Sequence, residues 1–224
     1  MSLFDQLVAA LAGVLDLGGP VVMLLLGLSV VVLTVILYKL WQYSRARVGR
    51  HDHLRAALDA WDRGDLALAR REARASRSHL AAIATDALDG PSDGRDAARF
   101  EAEAEANVAR LERGFRILDS IAQVAPLLGL FGTVLGMIDA FRALQAAGAA
   151  VDPSVLAGGI WVALLTTAAG LAVAMPTSLV LTFFESRTAR ERDFADLMLA
   201  RLRAPRAGRD GAAAAASLDR PAHA

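Results

Sequence analysis

The chain has 224 residues, of which 55% are hydrophobic and 21% are charged, and its mean hydropathy is +0.39. This composition is too apolar for an ordinary soluble domain and indicates a membrane protein. The formal net charge is zero, and the absence of cysteine excludes a disulfide framework and thiol chemistry. Between Arg45 and Arg116, thirteen acids balance fourteen arginines, so this stretch lacks the one-signed charge of a nucleic-acid-binding surface.

Residues 1–17 carry a helical apolar stripe that suits a short amphipathic helix at a membrane interface. They contain two aspartates and no basic residue, which argues against a secretory signal peptide. A Gly-Gly-Pro sequence at 18–20 then breaks the chain. The 22 residues that end at Tyr38 are uncharged, and Lys39 follows them as an interfacial anchor, so we place the first transmembrane helix at 18–43.

Residues 44–116 are charged, rich in alanine and predicted to face water. Their apolar residues recur at helical spacing, which predicts two or three helices with breaks at Gly64 and at Gly90. His51 and His53 are two residues apart, a spacing that does not place both on one helix face, so we expect no metal site.

A further helix is predicted to begin near Arg95, where Ser92 or Asp93 can cap it. Apart from Pro126, no residue forbids one continuous helix from there to Leu144.

Two long apolar runs follow. The run from Ser120 to Ile138 has 19 uncharged residues, which as a helix would reach about 28 Å and cross one bilayer. The run from Pro153 to Phe184 has 32 uncharged residues, or about 48 Å of helix. Because this exceeds the hydrocarbon core, the helix must tilt or extend out of the lipid.

Glycines and prolines interrupt both runs. Small residues allow helix backbones to approach closely inside lipid, where apolar side chains alone give little drive for association. Each proline frees a backbone carbonyl that needs another partner within the membrane. The predicted packing and kink positions are Pro126, Gly129, Gly132, Gly136, Gly170 and Pro176.

Three threonines share a level if the two runs form an antiparallel hairpin: Thr133, Thr166 and Thr167. Two interpretations remain open. In one, these hydroxyls line a shared lumen. In the other, each hydroxyl bonds back to its own helix, and the acceptors would be the carbonyls of Gly129, Val162 and Ala163, in that order.

The sequences VAPLLGLFGTVLGMIDAF and GGIWVALLTTAAGLAVAMP closely resemble the second and third membrane helices of the MotA/TolQ/ExbB proton-channel family, nearest the ExbB and TolQ branch. The likeness rests on a proline, three glycines and a threonine in one span, and on Thr-Thr-x-x-Gly with a proline in the other. It covers most of the chain from Gly18 to Glu185. The resemblance implies an all-α membrane protein, a homopentamer with three transmembrane helices and long cytoplasmic helical extensions.

The resemblance also implies a function. Such a protein is a proton-channel and motor subunit, not an enzyme, and it needs no cofactor. Its expected partners are further copies of itself, membrane lipid, a single-span ExbD- or TolR-like protein and a TonB- or TolA-like energy transducer, with no nucleic acid. The alternative is a structural scaffold that keeps the fold and conducts nothing. A flagellar stator subunit fits less well, because that branch has four spans.

One position departs from the family pattern. ExbB-like proteins have a glutamate just before the Ala-Leu that precedes the threonine pair, and here that position is Val162. The hydroxyls that the resemblance places on the proton pathway, those of Thr133, Thr166 and Thr167, are present.

Basic residues predict the orientation. None of the 24 lies before Lys39, and only Arg142 lies between the second and third runs. The positive-inside rule therefore puts the N-terminus outside and the C-terminus in the cytoplasm, which for this family means the bacterial inner membrane. The predicted segments are a periplasmic segment 1–17, transmembrane helix 18–43, cytoplasmic helical region 44–116, transmembrane helix 117–142, periplasmic turn 143–155, transmembrane helix 156–184, cytoplasmic helical extension 185–204 and disordered tail 205–224.

Overall fold

The structure, a computed structural model, describes residues 3–90, 96–147 and 153–203. Every regular element in these ranges is an α-helix. The helices are α1 (Leu3–Ala46), α2 (Asp52–Asp62), α3 (Leu66–Ala75), α4 (Ala81–Asp89), α5 (Ala97–Glu112), α6 (Phe115–Ala147) and α7 (Pro153–Arg203).

Among the residues that the structure describes, three helical stretches are long and apolar enough to cross a membrane, as the sequence predicted. They are Gly19–Ala46, Ala97–Ala146 and Leu156–Arg203. Each includes all or most of one uncharged run, where a helix satisfies its backbone polar groups internally and can face lipid.

Contacts divide the chain into two compact units. The first consists of Met1–Lys39 and Gly114–Phe183, and it contains most of α1, all of α6 and the first part of α7. A small apolar core joins its three helices. The buried members of that core are Val21 and Leu25 of α1, Ala125 of α6 and Ala174 of α7.

The second unit consists of Leu40–Arg113 and Phe184–Ala224. Its core joins α2, α4 and α5 to the last turns of α7, whose stripe there includes Phe194 and Met198. Ala104 is the buried residue that α5 contributes to this core. The other buried members from before α5 are Leu54 and Leu58 of α2, Leu80 at the start of α4, and Ile83 and Ala84 of α4.

The predicted break at 18–20 is confirmed within α1. Gly19 has φ 59° and ψ −165°, which interrupts the helix. Glycine adopts this conformation without the steric cost of a Cβ. Pro20 then begins the resumed helix, where its missing N–H costs nothing.

The sequence allowed one continuous helix from near Arg95 to Leu144, and the structure has two, α5 and α6. The helix is interrupted at Gly114, whose φ of 92° ends the regular pattern between α5 and α6. Pro126, where we allowed a break, lies inside α6. Apolar periodicity continues across the real break, so periodicity alone does not locate it.

The remaining predictions concern the segments at the ends of the helices. α6 extends to Ala147 and α7 begins at Pro153, so the described ends of the predicted turn 143–155 are helical. The cap proposed at Ser92 or Asp93 and the tail 205–224 lie outside the described residues.

Candidate functional site

In the first unit, α6 and α7 contact each other along a line of small residues. A Cβ placed on Gly129 would lie 2.9 Å from the carbonyl oxygen of Thr166, and one on Gly170 would lie 2.6 Å from that of Ala125. Real Cβ atoms almost never approach other atoms this closely, so the two backbones are in direct contact. Only glycine fits at these two positions.

The same line continues toward the other end of the helices. A Cβ on Gly132 would lie 2.6 Å from Oγ1 of Thr166, and one on Gly136 would lie 3.1 Å from Cβ of Ala163. As residue numbers rise along α6, their partners fall along α7, so the two helices form an antiparallel hairpin. Close approach of this kind is how helices associate in lipid.

The two prolines lie within the hairpin helices. Pro126 is half-buried in α6, next to the buried Ala125 that faces Gly170, and Pro176 is exposed in α7. Neither ends its helix, which agrees with the tolerance of proline in membrane helices.

Two hydroxyls cross from α7 to α6. Oγ1 of Thr166 and Oγ1 of Thr167 each lie 3.2 Å from the carbonyl oxygen of Gly129, and Oγ1 of Thr166 is also 2.6 Å from the carbonyl of Ala163. The expected acceptors were Val162 for Thr166 and Ala163 for Thr167, and both assignments are wrong. The bonds reach across because Gly129 has no side chain to cover its carbonyl.

Burial separates the two hydroxyls. Thr166 is only 2% exposed, sealed between the helices, whereas Thr167 is half-buried. The structure therefore gives Thr166 a place in the helix contact and leaves Thr167 beside the open face of the hairpin.

Thr133 lies at the same level on α6, next to the Gly132 that faces Thr166. Its Oγ1 donates to the carbonyl of Leu130 at 2.6 Å, one residue from the expected acceptor Gly129. The bond stays within its own helix, and the side chain is half-buried. A donating hydroxyl keeps lone pairs that can accept a hydrogen bond, which holds for Thr133 and Thr167 alike.

No ionisable residue accompanies these hydroxyls. The uncharged runs 120–138 and 153–184 contain no Asp, Glu, His, Lys or Arg, and Val162 is half-buried where the family pattern has a glutamate. Asp119 and Asp139, the acids on either side of the run 120–138, are exposed. The hairpin offers hydrogen-bonding groups but no titrating group.

The burial of Lys39 was not predicted from the sequence. We expected an exposed interfacial anchor, but its side chain is fully buried and its Nζ lies 5.2 Å from the centroid of the Phe115 ring. Gly114 packs beside this side chain, since a Cβ there would lie 3.6 Å from Cε of Lys39, an ordinary van der Waals distance. A cation over an aromatic face is a favourable contact when it is shielded from water.

The second unit holds a buried polar cluster that sequence reasoning also missed. Nε2 of His51 lies 3.1 Å from the carboxyl of Glu191, and Nδ1 of His79 lies 3.7 Å from the same group. The His51 ring stacks on Phe194 at 4.0 Å, and its Nδ1 is 3.5 Å from Oγ of Ser78. Glu191 is 1% exposed.

One signal for this cluster was present in the sequence. Glu191 stands on the same helical stripe as Phe194 and Met198, three and seven residues earlier, so an acid occupies an otherwise apolar face. Its partner His51 is 140 residues away. Burial lowers the pKa of His79, although the Glu191 carboxyl acts in the opposite direction.

His53, two residues after His51, has a different acidic partner. Nδ1 of His53 lies 2.9 Å from Oε2 of Glu72, and this hydrogen bond is the main cause that lowers the pKa of Glu72. Among the residues that the structure describes, no group of three or more histidine and acidic side chains is placed to hold a metal ion.

The long apolar helices and the glycine-lined hairpin, with hydroxyls but no charges, define a multi-span helical membrane protein. Residues 69–196, more than half of the chain, match the family described as the MotA/TolQ/ExbB proton channel family. The chain belongs to the MotA/TolQ/ExbB proton channel family. Proteins of this family are channels, not enzymes.

Relatives named ExbB support this assignment. The protein named ExbB-like 1 of Synechocystis sp. is 37% identical over 183 residues, which cover 79% of this chain and 71% of the relative. The biopolymer transport protein exbB1 of Vibrio cholerae is 51% identical over 63 residues, 28% of each chain. ExbB of Neisseria gonorrhoeae is 40% identical over 79 residues, 35% of this chain and 36% of the relative. This chain is therefore an ExbB-like biopolymer transport protein.

Proposed function

We propose that this chain is the proton-channel subunit of an ExbB/TolQ-like motor in a bacterial inner membrane. Five copies surround the single-span helices of an ExbD- or TolR-like partner. The proton motive force then energises transport or envelope processes through a TonB- or TolA-like transducer. The observation that carries the proposal is the pair of half-buried hydroxyls, Thr133 and Thr167, at one level of a charge-free hairpin.

The hydrogen bonds suggest what these hydroxyls do. Each already donates its proton to a backbone carbonyl, so each is left as an acceptor. A protonated carboxyl on a partner helix can donate to such an oxygen, whereas an ionised carboxylate cannot. The site therefore favours the neutral form of the acid and helps it to take up a proton before it moves.

An acid that binds and releases protons is needed to use the proton motive force. Moving one elementary charge through 100 mV yields about 2.3 kcal/mol, and capturing it requires a group that binds and releases the proton in step with motion. This chain has no such group in its uncharged runs. In our proposal the partner supplies the carboxylate, and Thr166, sealed in the helix contact, supports the hairpin rather than the pathway.

Proton flux into liposomes tests the proposal. We expect flux from the protein with its partner, and only background flux from the protein alone. The same background is expected when the membrane aspartate of the partner is changed to asparagine, since the amide does not titrate. Comparable flux in all three preparations would contradict the mechanism and require a water path through this subunit. Background flux in all three would favour the non-conducting scaffold.

Replacing both Thr133 and Thr167 with valine should abolish partner-dependent flux and leave assembly intact. Valine keeps the branched shape and removes the acceptor oxygen. The double replacement with serine, which keeps the hydroxyl, should retain flux. Thr34→Val is the matched control, because the Thr34 hydroxyl bonds to its own helix at Val30 and is exposed in α1. Normal flux in the double valine variant would refute the assignment.

We also propose that the N-terminus is periplasmic and the C-terminus cytoplasmic, because the basic residues lie at and beyond Lys39. The chain has no cysteine, so single cysteines can be introduced cleanly. An impermeant thiol reagent on whole cells should label Ser2→Cys and not Ser217→Cys. The reverse pattern would overturn the orientation.

A further inference from the structure

A basic cavity lies in the second unit, between the loop that joins α1 to α2 and the loop that joins α3 to α4. Its volume is about 450 Å³, within the range of small-molecule sites. Arg47, Arg50 and Arg77 line it together with Ser76 and Ser78. Three cations and two hydroxyl-bearing residues thus surround one space.

The positive charge in this cavity exceeds the negative charge of its lining. The guanidinium groups of Arg47, Arg50 and Arg77 form no ion pair or side-chain hydrogen bond with any described residue. By contrast, Arg192 and Arg201 in the same unit are paired with acids.

The two other charged or titratable residues in the lining do not change this balance. Asp52 provides a single negative charge against three positive ones, and the ring of His53 is already engaged by Glu72. Arg187 adds a further guanidinium beside the first loop, 3.0 Å from the carbonyl of Val48. Like charges held together repel one another unless an anion joins them.

The backbone at Arg47 is a second, independent observation. Arg47 follows the last residue of α1 and has φ 50°, in the left-handed region. The N–H of Val48 bonds to the carbonyl of Tyr43 at 3.2 Å, as in a helix C-terminal cap. Glycine or asparagine normally occupies this position, because other residues are strained there. An arginine at such a site indicates that its side chain has a use.

We propose that this cavity binds a phosphate-bearing anion. Guanidinium groups match phosphate oxygens with paired hydrogen bonds, and serine hydroxyls can complete the coordination. Asp52 and His53 begin α2, whose N-terminus has no side-chain cap, so its free N–H groups border the same space. The anion is either the headgroup of an acidic phospholipid or a soluble phosphate compound. The site does not depend on proton conduction.

Binding to the full-length chain in a zwitterionic detergent tests the proposal. One arm titrates pyrophosphate by calorimetry at constant ionic strength, as a probe for soluble phosphate compounds. The other arm dopes the micelles with phosphatidylglycerol or phosphatidylcholine and counts bound lipid by native mass spectrometry. A calorimetric signal in the first arm identifies a soluble ligand. Retention of phosphatidylglycerol over phosphatidylcholine, without a pyrophosphate signal, identifies a lipid headgroup.

Variants distinguish this cavity from general surface charge. Arg47→Gly removes the guanidinium and relieves the strained backbone, so its loss of binding cannot be attributed to unfolding. We expect Arg47→Gly and the Arg50→Gln, Arg77→Gln pair each to weaken binding by about tenfold or more. Arg63→Gln, at an exposed arginine outside the cavity, should bind as the unaltered chain does. Absence of binding in both arms, or equal binding by all variants, would overturn the proposal.

Discussion

Gly132→Val is expected to separate α6 from α7 and to lower the free energy of unfolding of the first unit by about 3 kcal/mol. A Cβ at this position would lie 2.6 Å from Oγ1 and 2.7 Å from Cβ of Thr166. Thr166 has little room to move, because it is β-branched and 2% exposed, and its one hydroxyl proton is shared between the carbonyls of Ala163 and Gly129. The backbones must therefore move apart, and the bonds to Gly129 are lost with them.

The matched control lies in the same hairpin. Gly158 is in α7, the other helix of the hairpin, and a Cβ there meets nothing within 4 Å in this chain. Gly158→Ala should therefore be neutral or stabilising by about 0.5–1 kcal/mol, whereas Gly132→Ala should destabilise by about 1–3 kcal/mol. The measurement is resistance to unfolding in detergent, with accumulation in the membrane as a second readout. Equal behaviour of the two alanine variants would contradict the close contact.

Much of the first unit could be predicted from the sequence, because lipid imposes strong constraints. Length without charge located the apolar helices, and the positions of Gly129, Gly132 and Gly170 indicated where backbones approach. The hydrogen-bond partners could not be predicted. Whether Thr167 bonds to its own helix or to Gly129 depends on rotation of α7 by a fraction of a turn, which apolar periodicity does not determine.

Two positions in the first unit, Gly114 and Lys39, were less predictable. The interruption at Gly114 was missed, because the residues on both sides continue a helical pattern and Pro126 was the more obvious breaker. Lys39 was assigned to the interface, since an isolated lysine after an apolar run normally anchors there. Its side chain is instead buried beside Gly114 and Phe115, which are distant from it in the sequence. Tertiary contacts decided both points.

The absence of a carboxylate from the apolar runs narrows the possible mechanisms. An ionised aspartate at the centre of an isolated membrane helix costs about 2.5–3.5 kcal/mol on the insertion scale, so a chain keeps one only where it has a use. With valine at position 162, the hydroxyls of Thr133 and Thr167 are the polar side chains left on the less buried part of the hairpin at that level. Any proton-binding acid at this level must therefore come from another chain.

Glu191→Ala is expected to destabilise the second unit by about 3–5 kcal/mol. The carboxyl is 1% exposed and holds His51, which stacks on Phe194 in the unit's core. Removing it leaves a cavity and two buried imidazoles without their acidic partner. Glu191→Gln keeps the volume and one oxygen that can accept from His51, so it should cost less.

Hydrogen exchange of the backbone amides of α2 and α4 measures this effect locally, which is needed because a chain with two units does not unfold in one step. Asp193→Ala is the control, since Asp193 is exposed two residues further along α7, and it should change stability by less than about 0.5 kcal/mol. The His51→Ala, Glu191→Ala double variant should lose less than the sum of the single variants, because each single change leaves a buried polar group without its partner. If the amides of α2 and α4 are as well protected from exchange in Glu191→Ala as in Asp193→Ala, the cluster does not hold the second unit together.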